Sequence, residues 1–135
     1  MIVSIHQPQY LPWLPYYSKI ARSEIFVFLD DAQYQKNGLH NRNEIKNSNG
    51  RFWLTVPVSA HLGDKINEVK LINNGWQKKH VKSIHLNYSK SLNYHFFSDY
   101  IKTILEQNIF NLVELNIKLI EIICQNYFKI KTNKI

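Results

Sequence analysis

Two short apolar runs, Ile2 to Ile5 and Glu24 to Leu29, flank a proline-punctuated stretch, and together they constrain the fold more than anything else in the chain. The first is rich in β-branched residues and the second is continuously apolar after its glutamate, so both read as buried strands. Pro15 suits the first turn of a short helix running to about Arg22, because the N–H it lacks would be unpaired there anyway. Strand, helix and strand within about thirty residues predict a parallel βαβ unit, since parallel neighbours need a crossover. The loops after the two strands then open on one edge of the sheet, where His6 and the Asp30-Asp31 pair can meet.

Further along, Asn43 to Lys46, the turn Asn47-Ser48-Asn49-Gly50 and the alternating run Arg51 to Val56 predict a β-hairpin, with Asn-Gly supplying positive φ. Pro57 ends that strand. Residues 59 to 66 read as a polar loop and Glu68 to Ile72 as a further short strand. The pattern changes at Asn73-Asn74-Gly75. Helical spacing predicts three helices, over Trp76 to Leu86, Tyr94 to Gln107 and Leu112 to about Tyr127, with Asn111 as a cap before the last. The tail Lys129 to Ile135 carries three lysines and is expected to fray. The predicted class is α/β: an N-terminal βαβ-type mixed sheet with a hairpin, followed by a helical C-terminal half, in a single domain over residues 1–135.

Length permits one core and no second full domain. The net charge of +7 invites a polyanion reading, but the lysines are scattered among Asn, Ile and Tyr, so a solvated basic surface is preferred over a nucleic-acid groove. The single cysteine, Cys124, lies in an apolar run and is expected to be an inert core thiol. No run approaches the roughly 20 apolar residues of a membrane span, and no charged leader precedes an apolar core at the start, so a cytoplasmic location is expected.

The candidate chemistry sits after the strands. Prolines 8, 12 and 15 stiffen the segment that carries Gln7, Tyr10, Trp13 and Tyr16. His6 is the leading acid or base, because imidazole titrates near neutral pH and a strand end fixes its direction; a histidine bonded to a nearby carbonyl is an equal alternative. Asp30 can orient a hydroxyl or an amine, and serves equally well as a turn cap. Lys36, Asn41, Arg42 and Asn43 offer cations and amides that suit anionic oxygens and hydroxyls. His80 and His85 are five apart, which is not the spacing of two metal ligands on one helix face, and no metal site is expected.

Several blocks resemble the WbqC-like protein family: His6-Gln7-Pro8-Gln9-Tyr10-Leu11-Pro12-Trp13-Leu14, Phe28 to Lys36, Asn41-Arg42-Asn43-Glu44-Ile45-Lys46, Trp53 to Val58, and Trp76-x-x-Lys79-His80. Pro15 stands where that family usually has glycine, and its members run on beyond the length of this chain, so the domain is expected to be C-terminally truncated relative to them. The resemblance implies a bacterial role in surface polysaccharide (O-antigen) biosynthesis, with transfer of an acyl or aminoacyl (glycyl) group to an amino sugar. It favours a catalytic role for His6 and Asp30 and a substrate-binding role for Gln7, Tyr10, Lys36, Asn41, Arg42 and Asn43. The implied partner is a nucleotide- or lipid-linked sugar, and an enzyme reading expects a second chain to complete the pocket. The activated donor, and any cofactor, is not identified by the sequence. The alternative is a non-enzymatic or remnant module that binds a sugar nucleotide or a partner; a nucleic-acid-binding protein ranks below both.

Overall fold

The computed structural model describes residues 1–135. Strand β1 (Val3–His6) lies parallel to β2 (Ile25–Phe28), with Val3 opposite Ile25 and His6 opposite Phe28, and helix α1 (Leu14–Ala21) makes the crossover. Pro15 occupies the first turn of α1 as its missing N–H predicts. Tyr16, Tyr17 and Ile20 of α1 pack with Phe26 and Phe28 of β2 in the main core.

The first strand departs from the buried reading. Val3 and Ile5 remain 49% and 52% exposed, because β1 is an edge strand and one face of this end of the sheet is uncovered. The carbonyls of Ile2 and His6 turn toward β2, so that of Ile5 faces outward, where the Lys19 ammonium of α1 donates to it at 2.7 Å.

The expected hairpin is present as β3 (Arg42–Asn47) and β4 (Gly50–Thr55), antiparallel, with Asn47 opposite Gly50. Its turn differs in detail: positive φ falls on Gly50 alone, at 127°, while the Asn47 side chain accepts from the Asn49 N–H at 2.9 Å. That Asx-type bond does the work expected of an Asn-Gly turn. A small antiparallel pair follows, β5 (Val58–Ser59) with β6 (Lys70–Leu71), bridged by a 3-10 turn at Ile66–Glu68. Ile66 and Val69 fasten this pair to Leu112 and Val113 in a second, smaller core.

Helices α2 (Trp76–Tyr88), α3 (Tyr94–Leu105) and α4 (Leu112–Ile123) form the C-terminal half. The Asn111 side chain accepts from the Glu114 N–H at 3.1 Å, the predicted cap. Leu112, Leu115, Leu119 and Ile123 form the buried stripe of α4, which also contains Asn116 and Ile120. The helix ends in a π-turn over Cys124–Phe128.

The tail corrects the expectation of fraying. Strand β7 (Asn133–Lys134) runs parallel to β2 on the side away from β1, giving the order β1-β2-β7. Its backbone satisfies groups that β2 would otherwise leave open: the Ile135 N–H donates to the Phe26 carbonyl at 3.0 Å, and the Phe28 N–H to the Ile135 carbonyl at 2.8 Å. The Thr132 hydroxyl adds contacts of 2.8 and 3.0 Å to the carbonyls of Ile20 and Ser23. No helix is long and apolar enough to cross a membrane.

Candidate functional site

Parallel pairing places the ends of β1 and β2 at one edge, and the Leu29 N–H donates to the His6 carbonyl at 2.9 Å to extend the ladder to that point. Here His6 is held edge-on by the Tyr16 ring, centroids 4.8 Å apart. His6 Nδ1 lies 3.0 Å from the Gln7 carbonyl, which also accepts from the Tyr16 hydroxyl at 2.9 Å. A carbonyl has no proton to give, so His6 Nδ1 carries the hydrogen in this bond. In the neutral ring Nε2 then keeps its lone pair, and nothing in the chain occupies it.

Gln7 is oriented by a histidine that sequence reasoning did not single out. His40 Nδ1 accepts from the Gln35 N–H at 3.3 Å, which leaves Nε2 as the protonated nitrogen, and Nε2 donates to Gln7 Oε1 at 2.8 Å. The Gln7 amide nitrogen therefore points away from His40 with both hydrogens free of protein partners. His40 is buried, with its ring 5.8 Å from that of Tyr34 and its carbonyl accepting from Asn116 Nδ2 at 2.8 Å. Burial, reinforced by the neighbouring His6, holds its pKa below the usual imidazole value and favours the neutral tautomer that this relay requires. A signal for the arrangement did exist in Asn116, an amide on the otherwise apolar stripe of α4.

The chain thus carries, on adjacent residues, an imidazole lone pair and a carboxamide with two free N–H groups. Together they can accept a proton from an amine or hydroxyl and donate to a carbonyl or hydroxyl oxygen. Asp30 opens the loop after β2 at the same edge; its carbonyl accepts from the Asn67 N–H at 3.0 Å, and its half-buried carboxylate is unpaired. Lys36 is exposed in the following loop.

The other candidates are placed elsewhere. Tyr10 is fully buried, 0% exposed, and its hydroxyl meets Nδ1 of His80 at 2.7 Å. Asn41 is also buried, and donates to the Val56 carbonyl at 2.9 Å. Arg42 donates to the carbonyls of Asn37 and Gly38 and lies 4.0 Å over the Trp53 ring, which ties the polar loop to the hairpin. Asn43 donates to the Leu11 carbonyl at 2.8 Å and accepts from the Glu44 N–H at 2.8 Å. His6 and Gln7 therefore share one edge with Asp30, whereas the Tyr10 hydroxyl and the side-chain N–H groups of Asn41, Arg42 and Asn43 are engaged by other parts of the chain.

The model of the WbqC-like protein family matches residues 7–135. The chain belongs to that family. A WbqC-like relative, an uncharacterised protein of Mycobacterium tuberculosis, Rv1507c, is 38% identical over 133 residues. The match covers 96% of this chain and 57% of the relative, so the chain spans little more than half the length of the protein it resembles. No solved structure matches this WbqC-like chain.

Proposed function

We propose that the edge formed by His6, Gln7 and Asp30 is a saccharide site that assists transfer of an acyl or aminoacyl group, such as glycyl, to the amine of a nucleotide- or lipid-linked amino sugar in surface polysaccharide (O-antigen) biosynthesis. The observation that carries the reading is the pairing of a free His6 Nε2 lone pair with the outward Gln7 amide. As the sugar nitrogen attacks the carbonyl carbon of an activated acyl donor, the new C–N bond forms and the bond to the leaving group breaks. His6 Nε2 takes the proton that the nitrogen sheds and returns it to the leaving group. Gln7 donates to the carbonyl oxygen as negative charge gathers there, and Asp30 orients the amine or an adjacent hydroxyl. Exposed Lys36, in the loop that follows Asp30, is the cation assigned to an anionic leaving group or diphosphate.

Calorimetry across nucleotide amino sugars and nucleotide neutral sugars tests the binding half of this reading. Loss of a hydrogen bond to a charged ligand costs roughly 1.5–3 kcal/mol, so His6→Ala and Gln7→Ala should each weaken binding more than about tenfold. Equal affinity in both variants would reject the site. Retained binding with no acyl-transfer product, followed by mass spectrometry with activated acyl donors, would instead support a non-enzymatic binding module.

A further inference from the structure

A groove of about 520 Å3 opens between the Leu11–Leu14 segment, the hairpin and the ends of α2 and α4, and 13 of its 16 lining residues are hydrophobic. Its two lips carry large apolar side chains that the fold leaves in solvent: Trp13 and Leu14 are 67% and 68% exposed on one, and Leu92, in the α2–α3 loop, is 98% exposed on the other. Burying such groups is worth roughly 1.5–3 kcal/mol each, so leaving them together around an open apolar groove is a costly arrangement for a surface that meets only water.

The first lip is also held in an uncommon backbone. Leu11 has φ of 43°, a conformation disfavoured for a side chain of its size, and Asn43 pins its carbonyl at 2.8 Å. The fold thus spends an amide on presenting Trp13 and Leu14 outward.

Charge decides what would cover the groove. No acidic residue lines it. Lys46 lies with its ammonium 5.9 Å from the ring of Tyr88, a lining residue, and exposed Lys90 adjoins the Ser91-Leu92 lip. Glu44, beside lining residue Ile45, is already paired with Arg51 at 3.0 Å. Exposed Trp13, Leu14 and Leu92 around an apolar groove, with one lysine against Tyr88 and another beside Leu92 in a chain of net charge +7, match the requirements of an anionic bilayer surface: aromatic and aliphatic groups for the acyl boundary, ammonium groups for the headgroups.

We infer that this groove and its lips form a peripheral docking surface for an anionic phospholipid bilayer, with Trp13, Leu14 and Leu92 entering the interface and the groove receiving an acyl chain. The inference is independent of the saccharide site at the His6 edge.

Flotation of the 135-residue chain with vesicles of phosphatidylcholine alone, or of phosphatidylcholine with phosphatidylglycerol, tests it. The chain is expected to float with the anionic vesicles. Its tryptophan fluorescence should be quenched by brominated acyl chains, and Trp13→Phe should remove most of that quenching. Leu92→Asp, at a position that contributes almost nothing to folding, should cut binding by roughly tenfold or more without shifting the melting temperature. Absence of flotation with anionic vesicles would overturn the proposal. So would flotation unaffected by Leu92→Asp and Trp13→Ser, which would mean charge attraction alone. A dimer in sedimentation that Leu92→Asp dissolves, without vesicle binding, would overturn it in favour of a second copy on this face.

Discussion

Tyr10 and His80, seventy residues apart, share a buried hydrogen bond of 2.7 Å between the tyrosine hydroxyl and Nδ1 of the imidazole. Nε2 of the same ring lies 3.1 Å from the Thr55 carbonyl and must donate to it, so Nδ1 accepts from Tyr10 and the histidine is satisfied only while neutral. Burial lowers the His80 pKa to about 4, against a smaller upward pull from the bond to Thr55. The unfolded chain takes up this proton at higher pH than the folded one does. Stability from His80 is therefore fully present above about pH 6.5 and lost as pH falls toward 4, by about 3 kcal/mol. His40, also held low, acts in the same direction. Urea denaturation between pH 7 and 4 should show this decline, and a flat profile would contradict the assignment.

Tyr10→Phe should destabilise the chain by roughly 1–3 kcal/mol, because it keeps the ring but leaves a buried imidazole acceptor unpaired. Urea denaturation at neutral pH measures the loss. A surface role for Tyr10 would predict almost none.

The tail supplies partners for β2, so its bonds should matter more than its polar sequence suggests. Thr132→Val removes a hydroxyl that contacts two carbonyls and should cost about 1 kcal/mol. In hydrogen exchange the Phe28 amide, which donates to Ile135, should be protected in the parent chain and exchange faster in the variant.

Cys124 is fully buried, and burial raises its thiol pKa to about 11. Little thiolate exists at neutral pH and reagents have no access to it. Labelling with a thiol reagent should therefore follow unfolding, becoming rapid only in denaturant.

Much of the fold can be read locally. Phe26 and Phe28 lie in a continuous apolar run, the hairpin is marked by its Asn-rich turn, and Leu112, Leu115, Leu119 and Ile123 recur at helical spacing. Strand β7 could not be read that way, because Asn133 and Lys134 carry no strand pattern and become a strand only because β2 offers them an open edge. The site divides for a similar reason. His6 owes its position to a strand end, which sequence reveals, whereas the free face of Gln7 depends on His40, brought in by a loop thirty-three residues on. Asn41, Arg42 and Asn43 carry the same polar groups whether they bind a ligand or hold a loop. Which of the two they do is set by tertiary contacts with Val56, Trp53 and Leu11.

The ammonium that Lys19 places on the outward Ile5 carbonyl has a consequence for the behaviour of the chain in concentrated solution. An edge strand with exposed Val3 and Ile5 is a template on which another extended segment can add, and a charge planted at its middle makes each such addition desolvate an ion. Lys19 is in this sense a gatekeeper. Lys19→Met, harmless to the core, should shorten the lag before fibrillar or amorphous self-association, and crowding should expose the difference before any loss of folded protein does.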